Sequence, residues 1–345
     1  MTPYEPFTWA IFAKPATELP VGLAITVALW CFFVGSAIGS FLNVVISRMP
    51  EGLSVVKPRS RCPVCENQIA ARDNIPIFSW LWLRGKCRHC KTPISPQYIL
   101  VEVCVGLFAM GLALKFGVHL RSIELFFVGC VVVCIAFIDA KHWHIPLDLL
   151  KALPLIGLTA GGLSFIWPKT IEPALFLVEN TPQSALLSRV IGGVAALLFL
   201  SAITVFANWY FRMRGRIGPD EVAMGWGDPL MFGGIGTIIG PFGLGPALFL
   251  ACIQGIAAFA VLAVLHRNDD DEMADAPAAN TDEAGAADAN INAGDEELED
   301  EWDFEPPKGA IPFGPFLAIG GLEVALFFEP VLAASEAWLA PFQLL

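Results

Sequence analysis

Long apolar runs limit what this chain can fold into more than any single motif does. Of its 345 residues, 55% are hydrophobic, and the mean hydropathy of +0.62 is typical of a protein with several membrane spans. Apolar runs of about 20 residues predict transmembrane helices. The sequence therefore predicts an all-α polytopic membrane protein with about eight transmembrane helices, at residues 21–46, 98–118, 122–138, 145–167, 185–211, 223–240, 244–265 and 310–328.

The predicted spans divide the chain into six segments. These are an N-terminal extension at 1–20, the first span at 21–46, a polar domain at 47–97, a membrane core at 98–267, an acidic insert at 268–307, and the last span with a C-terminal tail at 308–345. The extension lacks the basic start and cleavage site of a removable signal peptide, so we expect it to stay attached. The insert is rich in Ala, Asp, Glu and Asn, which predicts a disordered cytosolic linker.

The charge of the polar domain predicts its side of the membrane. Residues 47–97 contain many more Lys and Arg than Asp and Glu, and loops of this kind remain in the cytosol. Counting alternate spans from that loop places Asp139 and Asp228 at cytosolic helix ends. The basic residues adjoin predicted spans, where they set topology, so we expect the lipid bilayer and no nucleic acid as a partner.

Four cysteines in the polar domain have the spacing of a metal site. Cys62 and Cys65 form one CxxC pair, Cys87 and Cys90 form a second, and 21 residues separate the two pairs. This pattern predicts a tetrahedral zinc site, which is structural because four thiolates leave no open position for catalysis. His89 is a possible competing ligand. A disulfide or redox pair and unliganded cysteines remain alternatives, although a reducing cytosol disfavours the disulfide.

Two aspartates at the ends of apolar runs are the candidate catalytic groups. An Asp costs about 2.5–3.5 kcal/mol at mid-bilayer, so an acid in a membrane span is a functional candidate. Asp139 ends one run and Asp228 begins another, within the sequence MGWGD. If the two carboxylates meet, one can activate water while the other protonates a peptide carbonyl. Gly225 and Gly227 remove side chains where the backbone must bend or where an extended peptide must reach the acid. A helix cap or an ion pathway remains an alternative role for either acid.

Motifs along nearly the whole chain resemble those of the type IV prepilin peptidase family. Besides the two CxxC pairs, they are residues 39–50 (GSFLNVVISRMP), 74–76 (NIP), 83–87 (LRGKC), 94–95 (IS), 100–102 (LVE), 145–146 (IP), 224–228 (MGWGD) and 311–316 (IPFGPF), with Asp139 and Glu221. The resemblance leaves out only the N-terminal extension and the acidic insert. It departs from the family at Leu230, where members often have lysine, and at Leu147, where they often have a polar residue.

The resemblance implies a GxGD-type aspartyl peptidase of the bacterial inner membrane. Such an enzyme removes the leader from type IV prepilins and type II secretion pseudopilins after a glycine, and Asp139 and Asp228 match its catalytic pair. Many members also methylate the new N-terminal residue with S-adenosylmethionine. Those with the large four-cysteine domain are associated with this second activity.

Three other interpretations remain open at this point. They are a peptidase without methylation, a proton- or ion-conducting protein that uses Asp139 and Asp228, and a zinc-ribbon scaffold. A conducting protein predicts acids spread through the bilayer, whereas we expect the acids of the predicted spans to lie near cytosolic ends. A scaffold has no use for paired membrane acids.

Overall fold

The computed structural model describes residues 15, 18–166, 181–218, 222–274 and 312–339, with side chains through 261 and 327 in the last two ranges. Within these ranges the chain has no strand, only two isolated β-bridges, so the prediction of an all-α fold is confirmed. The helices are α1 (Val21–Arg48), α2 (Phe78–Trp82), α3 (Gln97–Phe116), α4 (Leu120–His142), α5 (Leu147–Leu163), α6 (Pro182–Met213), α7 (Gly227–Ala274) and α8 (Gly314–Leu339), with a short 3₁₀ turn at Ala71–Asp73.

The described helices agree with a polytopic membrane protein. Five of them, α1, α3, α4, α6 and the Gly227–Val261 part of α7, are long and apolar enough to cross a bilayer, and Gly314–Phe327 is a shorter apolar helix. α7 bends at Gly240, whose φ of 69° is non-helical. The predicted spans 223–240 and 244–265 are therefore the two halves of α7. With α5 included, the described chain has about eight apolar helical segments.

The chain forms two units, Met1–Cys252 with Pro312–Leu345, and Ile253–Ile311. The contacts of the two aspartates and of the four cysteines lie within the first unit. In the second unit, α7 continues to Ala274 and so extends into the predicted acidic insert. The rest of that insert lies outside the described residues, as do most of the N-terminal extension, Trp167, Glu221, and the end of the C-terminal tail.

Glycines allow close contact between α1 and α3. A Cβ added at Gly35 would lie 2.7 Å from the Cβ of Ala109, and one at Gly39 would lie 2.9 Å from the Cα of Glu102. Small residues at a helix interface let the two backbones approach in this way. Asn43 adds an interhelical hydrogen bond, since its Nδ2 donates to the carbonyl of Tyr98 at 3.0 Å. The start of α3 therefore lies beside the end of α1, with the four-cysteine domain between them in the chain.

A buried ion cluster connects four helices of the membrane core. Glu124 on α4 pairs with Arg121 at 3.0 Å and with Arg189 of α6 at 2.5 Å. Arg189 also donates to the carbonyls of Gly157 on α5 and Thr237 on α7, at 3.1 and 3.2 Å. The Glu124 side chain is only 2% exposed, and its removal would leave two largely buried arginines without their shared carboxylate, which is strongly destabilising.

Glu124 contradicts the expectation that the acids of the spans lie near one end. It is 15 positions before Asp139 in α4, about 22 Å away at a rise of about 1.5 Å per residue. The expectation was wrong because Glu124 lies near the opposite end of α4 from Asp139. Its pairing with Arg121 and Arg189 stabilises the buried charge there. The fixed ion pairs favour a structural role for Glu124 over proton relay.

Candidate active site and metal site

Asp139 and Asp228 occupy helix ends. Asp139 lies in the last turn of α4, where its backbone carbonyl accepts the N–H of Trp143 at 2.9 Å, and Trp143 ends the helix with a left-handed φ of 53°. Asp228 is the second residue of α7. A helix N-terminus favours negative charge, so the local fold suits a carboxylate at this position. Asp139 is 6% exposed, whereas Asp228 is half-buried.

The two carboxylates are neighbours beside Gly314, the first residue of α8. A Cβ added at Gly314 would lie 2.8 Å from Oδ2 of Asp139, 3.5 Å from Oδ1 of Asp228 and 3.1 Å from Cδ1 of Ile145. Both carboxylates therefore approach the same point within 3.5 Å. The structure brings together the two aspartates that the sequence singled out, although they are far apart in the chain. The end of α4 and the starts of α7 and α8 converge on them.

Gly225 and Gly227 come shortly before Asp228 in the chain, at open positions. Among the described residues, a Cβ at Gly225 would meet no atom within 4 Å, and one at Gly227 would meet only Cδ1 of Ile145, at 4.0 Å. Neither glycine has a positive φ. The expectation that the backbone needs glycine here in order to bend is therefore not supported. What the two glycines provide is free space in the segment that leads to Asp228.

The four cysteines form one cluster. Their sulfurs all lie within 4.8 Å of one another, and those of Cys62 and Cys90 are 3.7 Å apart. In a tetrahedral site with Zn–S bonds of about 2.3 Å, the sulfurs are about 3.8 Å apart. All nine cysteines of the chain are free thiols, so the disulfide alternative is not realised. The residues present fit a bound metal ion.

The two CxxC pairs form turns of the same kind. The amide of the first cysteine donates to the carbonyl five residues later in both, Cys62 to Asn67 at 3.1 Å and Cys87 to Thr92 at 2.8 Å. An isolated antiparallel bridge closes each turn. The residue after the second cysteine is left-handed in both, with φ values of 54° and 64°. This local symmetry directs all four sulfurs to one point.

Hydrogen bonds prepare several of these thiols to bind a cation. The Thr92 hydroxyl and amide lower the pKa of Cys90 to about 6, and the amides of Cys65 and Val64 lower the pKa of Cys62. The Asn67 amide acts in the same direction on Cys65, but burial and the other three sulfurs raise the pKa of Cys65 to about 11. The cluster therefore favours thiolates, but repulsion between neighbouring thiolates limits how many can form. A bound metal cation would relieve this repulsion.

A salt bridge holds the second cysteine turn to the 3₁₀ turn. Arg88 donates from Nε to Oδ2 of Asp73 at 2.8 Å and from a terminal nitrogen to Oδ1 at 2.5 Å. This bidentate pair holds the pKa of the Asp73 carboxyl below its usual range. Arg88 lies between the two cysteines of the pair, so the contact fixes the orientation of that turn.

Comparison with known proteins identifies the family. Residues 33–116 match the bacterial peptidase A24 N-terminal domain. Over 344 residues the chain is 32% identical to a prepilin leader peptidase/N-methyltransferase of Myxococcus xanthus, covering 90% of this chain and 93% of the relative. This chain is a prepilin leader peptidase/N-methyltransferase family member. A relative of that name from Burkholderia pseudomallei is 28% identical, covering 90% of this chain and 88% of the relative. One from Aeromonas hydrophila is 32% identical, covering 73% and 86%.

The family membership agrees with the multi-pass membrane architecture of the chain, and it confirms the resemblance stated from the sequence motifs. No solved structure matches the chain. The contacts within this chain show two features of the site that were not predicted from the sequence.

Asn208 on α6 is the first of these features. Its side-chain oxygen accepts the amides of Ala223 and Met224 at 2.7 and 3.1 Å, and its Nδ2 donates to the carbonyl of Met224 at 3.1 Å. Three hydrogen bonds from one side chain thus fix the loop immediately before Gly225 and Asp228. The sequence offered one sign of this role, since Asn208 is a polar amide among the apolar and aromatic residues that end α6.

The second missed feature is the glycine that borders both carboxylates. Gly314 belongs to the 311–316 motif, but nothing in the sequence assigns it to the site. Ile145, from the motif that follows Asp139, contacts the same point. Both residues are far in sequence from Asp228, so only the folded chain shows that they share its surroundings.

Proposed function

We propose that the protein is an aspartyl endopeptidase that removes the leader from type IV prepilins, type II secretion pseudopilins, or both. Cleavage occurs after a glycine at the cytosolic membrane face. The observation that supports this most directly is the approach of Asp139 and Asp228 to one point beside Gly314, within 2.8 and 3.5 Å. Two carboxylates so placed can act on one peptide bond from two sides.

The chemistry follows from the two acids. The ionised carboxylate takes a proton from a water molecule, whose oxygen bonds to the carbonyl carbon of the glycine. The protonated carboxyl donates its proton to the carbonyl oxygen, so that a neutral tetrahedral intermediate forms. When this intermediate collapses, the carboxyl that took the proton from water donates it to the nitrogen and the carbon–nitrogen bond breaks. A hydroxyl of the intermediate returns its proton to the other carboxylate, so the pair ends as it began. No residue other than Asp139 and Asp228 is assigned to these proton transfers.

The open space at Gly225 and Gly227 supports access by an extended chain. A substrate backbone must approach Asp228 closely, and side chains at either glycine would occupy that space. Because the fold itself needs no glycine at these positions, approach of a second chain is the remaining reason for them. The half-buried state of Asp228 agrees with an acid that a substrate can reach.

The positive-inside rule supports a cytosolic location for the four-cysteine domain. The domain connects the end of α1 to the start of α3, while Asp139 lies at the end of α4. Because α3 and α4 are consecutive apolar helices joined by a short turn, the start of α3 and the end of α4 belong to the same side. We therefore infer that the carboxylates also face the cytosol, where a prepilin leader begins.

We infer that the metal held by Cys62, Cys65, Cys87 and Cys90 is a structural zinc ion. Thiolate ligands at this spacing favour zinc, and a complete set of four leaves the ion without a place for substrate. The metal would hold the two turns of the domain together. Its identity is tested by elemental analysis of the purified protein.

N-methylation of the new N-terminal residue is the second proposed activity. The names of the relatives support it, since they combine leader peptidase and N-methyltransferase. S-adenosylmethionine would supply the methyl group. The alternative is a peptidase without methylation.

Mass spectrometry of the N-terminus of a co-expressed prepilin tests both activities together. We expect a chain that starts immediately after the glycine of the leader and has the mass of one added methyl group. A cleaved but unmodified N-terminus would support the peptidase and remove the methyltransferase. An intact leader would contradict the proposed function as a whole.

A further inference from the structure

Three large apolar side chains of the four-cysteine domain are exposed on one side of α2. Phe78, Leu81 and Trp82 have the i, i+3, i+4 spacing of a single helix face, and Trp82 is 82% exposed. The other two residues of the helix point into the domain. Ser79 is buried, and the Trp80 ring lies against Gly85, where an added Cβ would be 2.8 Å from Cζ2. We call Phe78, Leu81 and Trp82 the aromatic face.

The aromatic face contacts the first membrane helix. The ring of Phe78 stacks on that of Phe33 of α1, with centroids 6.2 Å apart and planes 16° from parallel. Phe33 is itself half exposed on the outside of α1. The aromatic face is therefore continuous with a surface of α1 that faces lipid.

The position of Phe33 in α1 fixes the depth of this contact. α1 has 28 residues, and the hydrocarbon core of a bilayer is crossed by about 20 helical residues. Wherever the membrane boundaries fall along α1, a stretch of that length includes Phe33. Phe78, which stacks on it, lies at the depth of the acyl chains and not in water.

Contacts with α3 and within the domain hold the segment at this depth. The amide of Ile77 donates to Oε2 of Glu102 at 2.7 Å, and Glu102 is buried on α3. Ile77 has a φ of 63°, which is uncommon for a β-branched residue. Ser79 Oγ donates to the carbonyl of Arg72 at 3.0 Å and accepts the amide of Ile75 at 2.9 Å. The aromatic face is thus fixed against α1.

The charges beside the aromatic face fit a lipid surface. Arg84 and Lys86 follow Trp82 in the chain, and both are exposed. Tryptophan is enriched where the acyl chains meet the headgroups, and each Lys or Arg near an anionic leaflet is attracted to it. An apolar face bordered by basic residues has this arrangement.

We propose that the aromatic face inserts into the acyl chains of the membrane leaflet nearest the four-cysteine domain. Arg84 and Lys86 contact the anionic headgroups above it. The four-cysteine domain is then partly embedded in the membrane, not a freely solvated loop between α1 and α3. This attachment would hold the domain at a fixed height over the bilayer.

Site-specific photo-crosslinking in lipid vesicles tests the proposal. The photoreactive amino acid p-benzoylphenylalanine replaces Phe78 or Trp82 in the full-length protein, which is reconstituted in vesicles of phosphatidylethanolamine and phosphatidylglycerol. Leu29, exposed on α1, is the position for a lipid-facing control. Glu66, exposed in the first cysteine turn, is the control for water. After irradiation, mass spectrometry measures the fraction of each variant that is joined to lipid, with zinc content as the check on folding.

We expect lipid adducts at positions 78 and 82 at yields within about twofold of position 29, and none at position 66. Adducts no more frequent than those at position 66 would overturn the proposal. A second set of vesicles contains a purified prepilin. If positions 78 and 82 then join to the prepilin and lose their lipid adducts, the face binds substrate, and the lipid proposal fails. Neither result depends on whether the protein cleaves the prepilin.

Discussion

Gly314 faces the carboxylate of Asp139 so closely that a methyl group on its Cα would lie 2.8 Å from Oδ2. This distance is shorter than an ordinary contact between a carbon and an oxygen atom. An alanine at this position would therefore force the Asp139 carboxylate or the first turn of α8 to move. Since Oδ1 of Asp228 is near the same point, Gly314 sets the space in which the two carboxylates meet.

Gly314→Ala is predicted to reduce prepilin cleavage by about 10- to 100-fold, because a displacement of catalytic groups by about 1 Å has an effect of this size. The rate of cleavage in isolated membranes measures it. Gly111→Ala is the matched control, since a Cβ at Gly111 of α3 would meet no described atom within 4 Å. Full activity of Gly314→Ala would show that the carboxylates do not depend on this contact.

Gly225→Ala tests the open side of the site. The substitution is accommodated by the fold, because no atom of the described residues lies within 4 Å of the added Cβ. We therefore expect unchanged thermal stability and membrane insertion, but about tenfold slower cleavage, since the methyl group occupies space that the substrate needs. Melting temperature in detergent and cleavage rate are measured on the same preparation. Unchanged cleavage would remove the proposed role of Gly225 in admitting the peptide.

Asn208 is predicted to position the loop that precedes Asp228. Asn208→Leu removes three hydrogen bonds, each worth about 1 kcal/mol, and should lower kcat by at least about tenfold. Asn208→Asp keeps the two bonds from the amides of Ala223 and Met224 and loses only the donation to the Met224 carbonyl. It should therefore retain more activity than the leucine variant. Equal loss in both variants would argue against positioning through these bonds.

The sequence predicted those parts of the structure that depend on local pattern. Apolar runs of membrane length identified the helices, and two CxxC pairs identified a cluster whose sulfurs lie within 4.8 Å. A carboxylate beside glycines at the end of an apolar run singled out Asp228. Each of these signals lies within a few residues of the chain.

The parts that were missed depend on contacts between distant segments. Nothing near Glu124 indicates that Arg189, 65 positions later, pairs with it. Asn208 and Gly314 look like ordinary residues of membrane helices until the loop of Asp228 folds against them. A sequence pattern can locate an acid or a thiol, but it cannot show which backbone atoms surround that group.

The metal site predicts a simple outcome for its ligands. Cys62→Ser replaces a thiolate with a weaker ligand, so the zinc content per chain should fall well below one, and the domain should become sensitive to proteases. Cys104→Ser is the control, because Cys104 is exposed on α3 and lies outside the cluster. Elemental analysis of both purified variants gives the comparison. Unchanged zinc in Cys62→Ser would contradict a four-thiolate site.

We propose that Asp139 and Asp228 act together on one peptide bond, and cleavage of a prepilin by Asp139→Asn and Asp228→Asn in isolated membranes is the decisive measurement. Each substitution removes the charge with little change in shape and should reduce cleavage by about 100- to 10,000-fold. Both variants should insert in the membrane in normal amounts and retain their zinc. Substantial cleavage by either variant would contradict the claim.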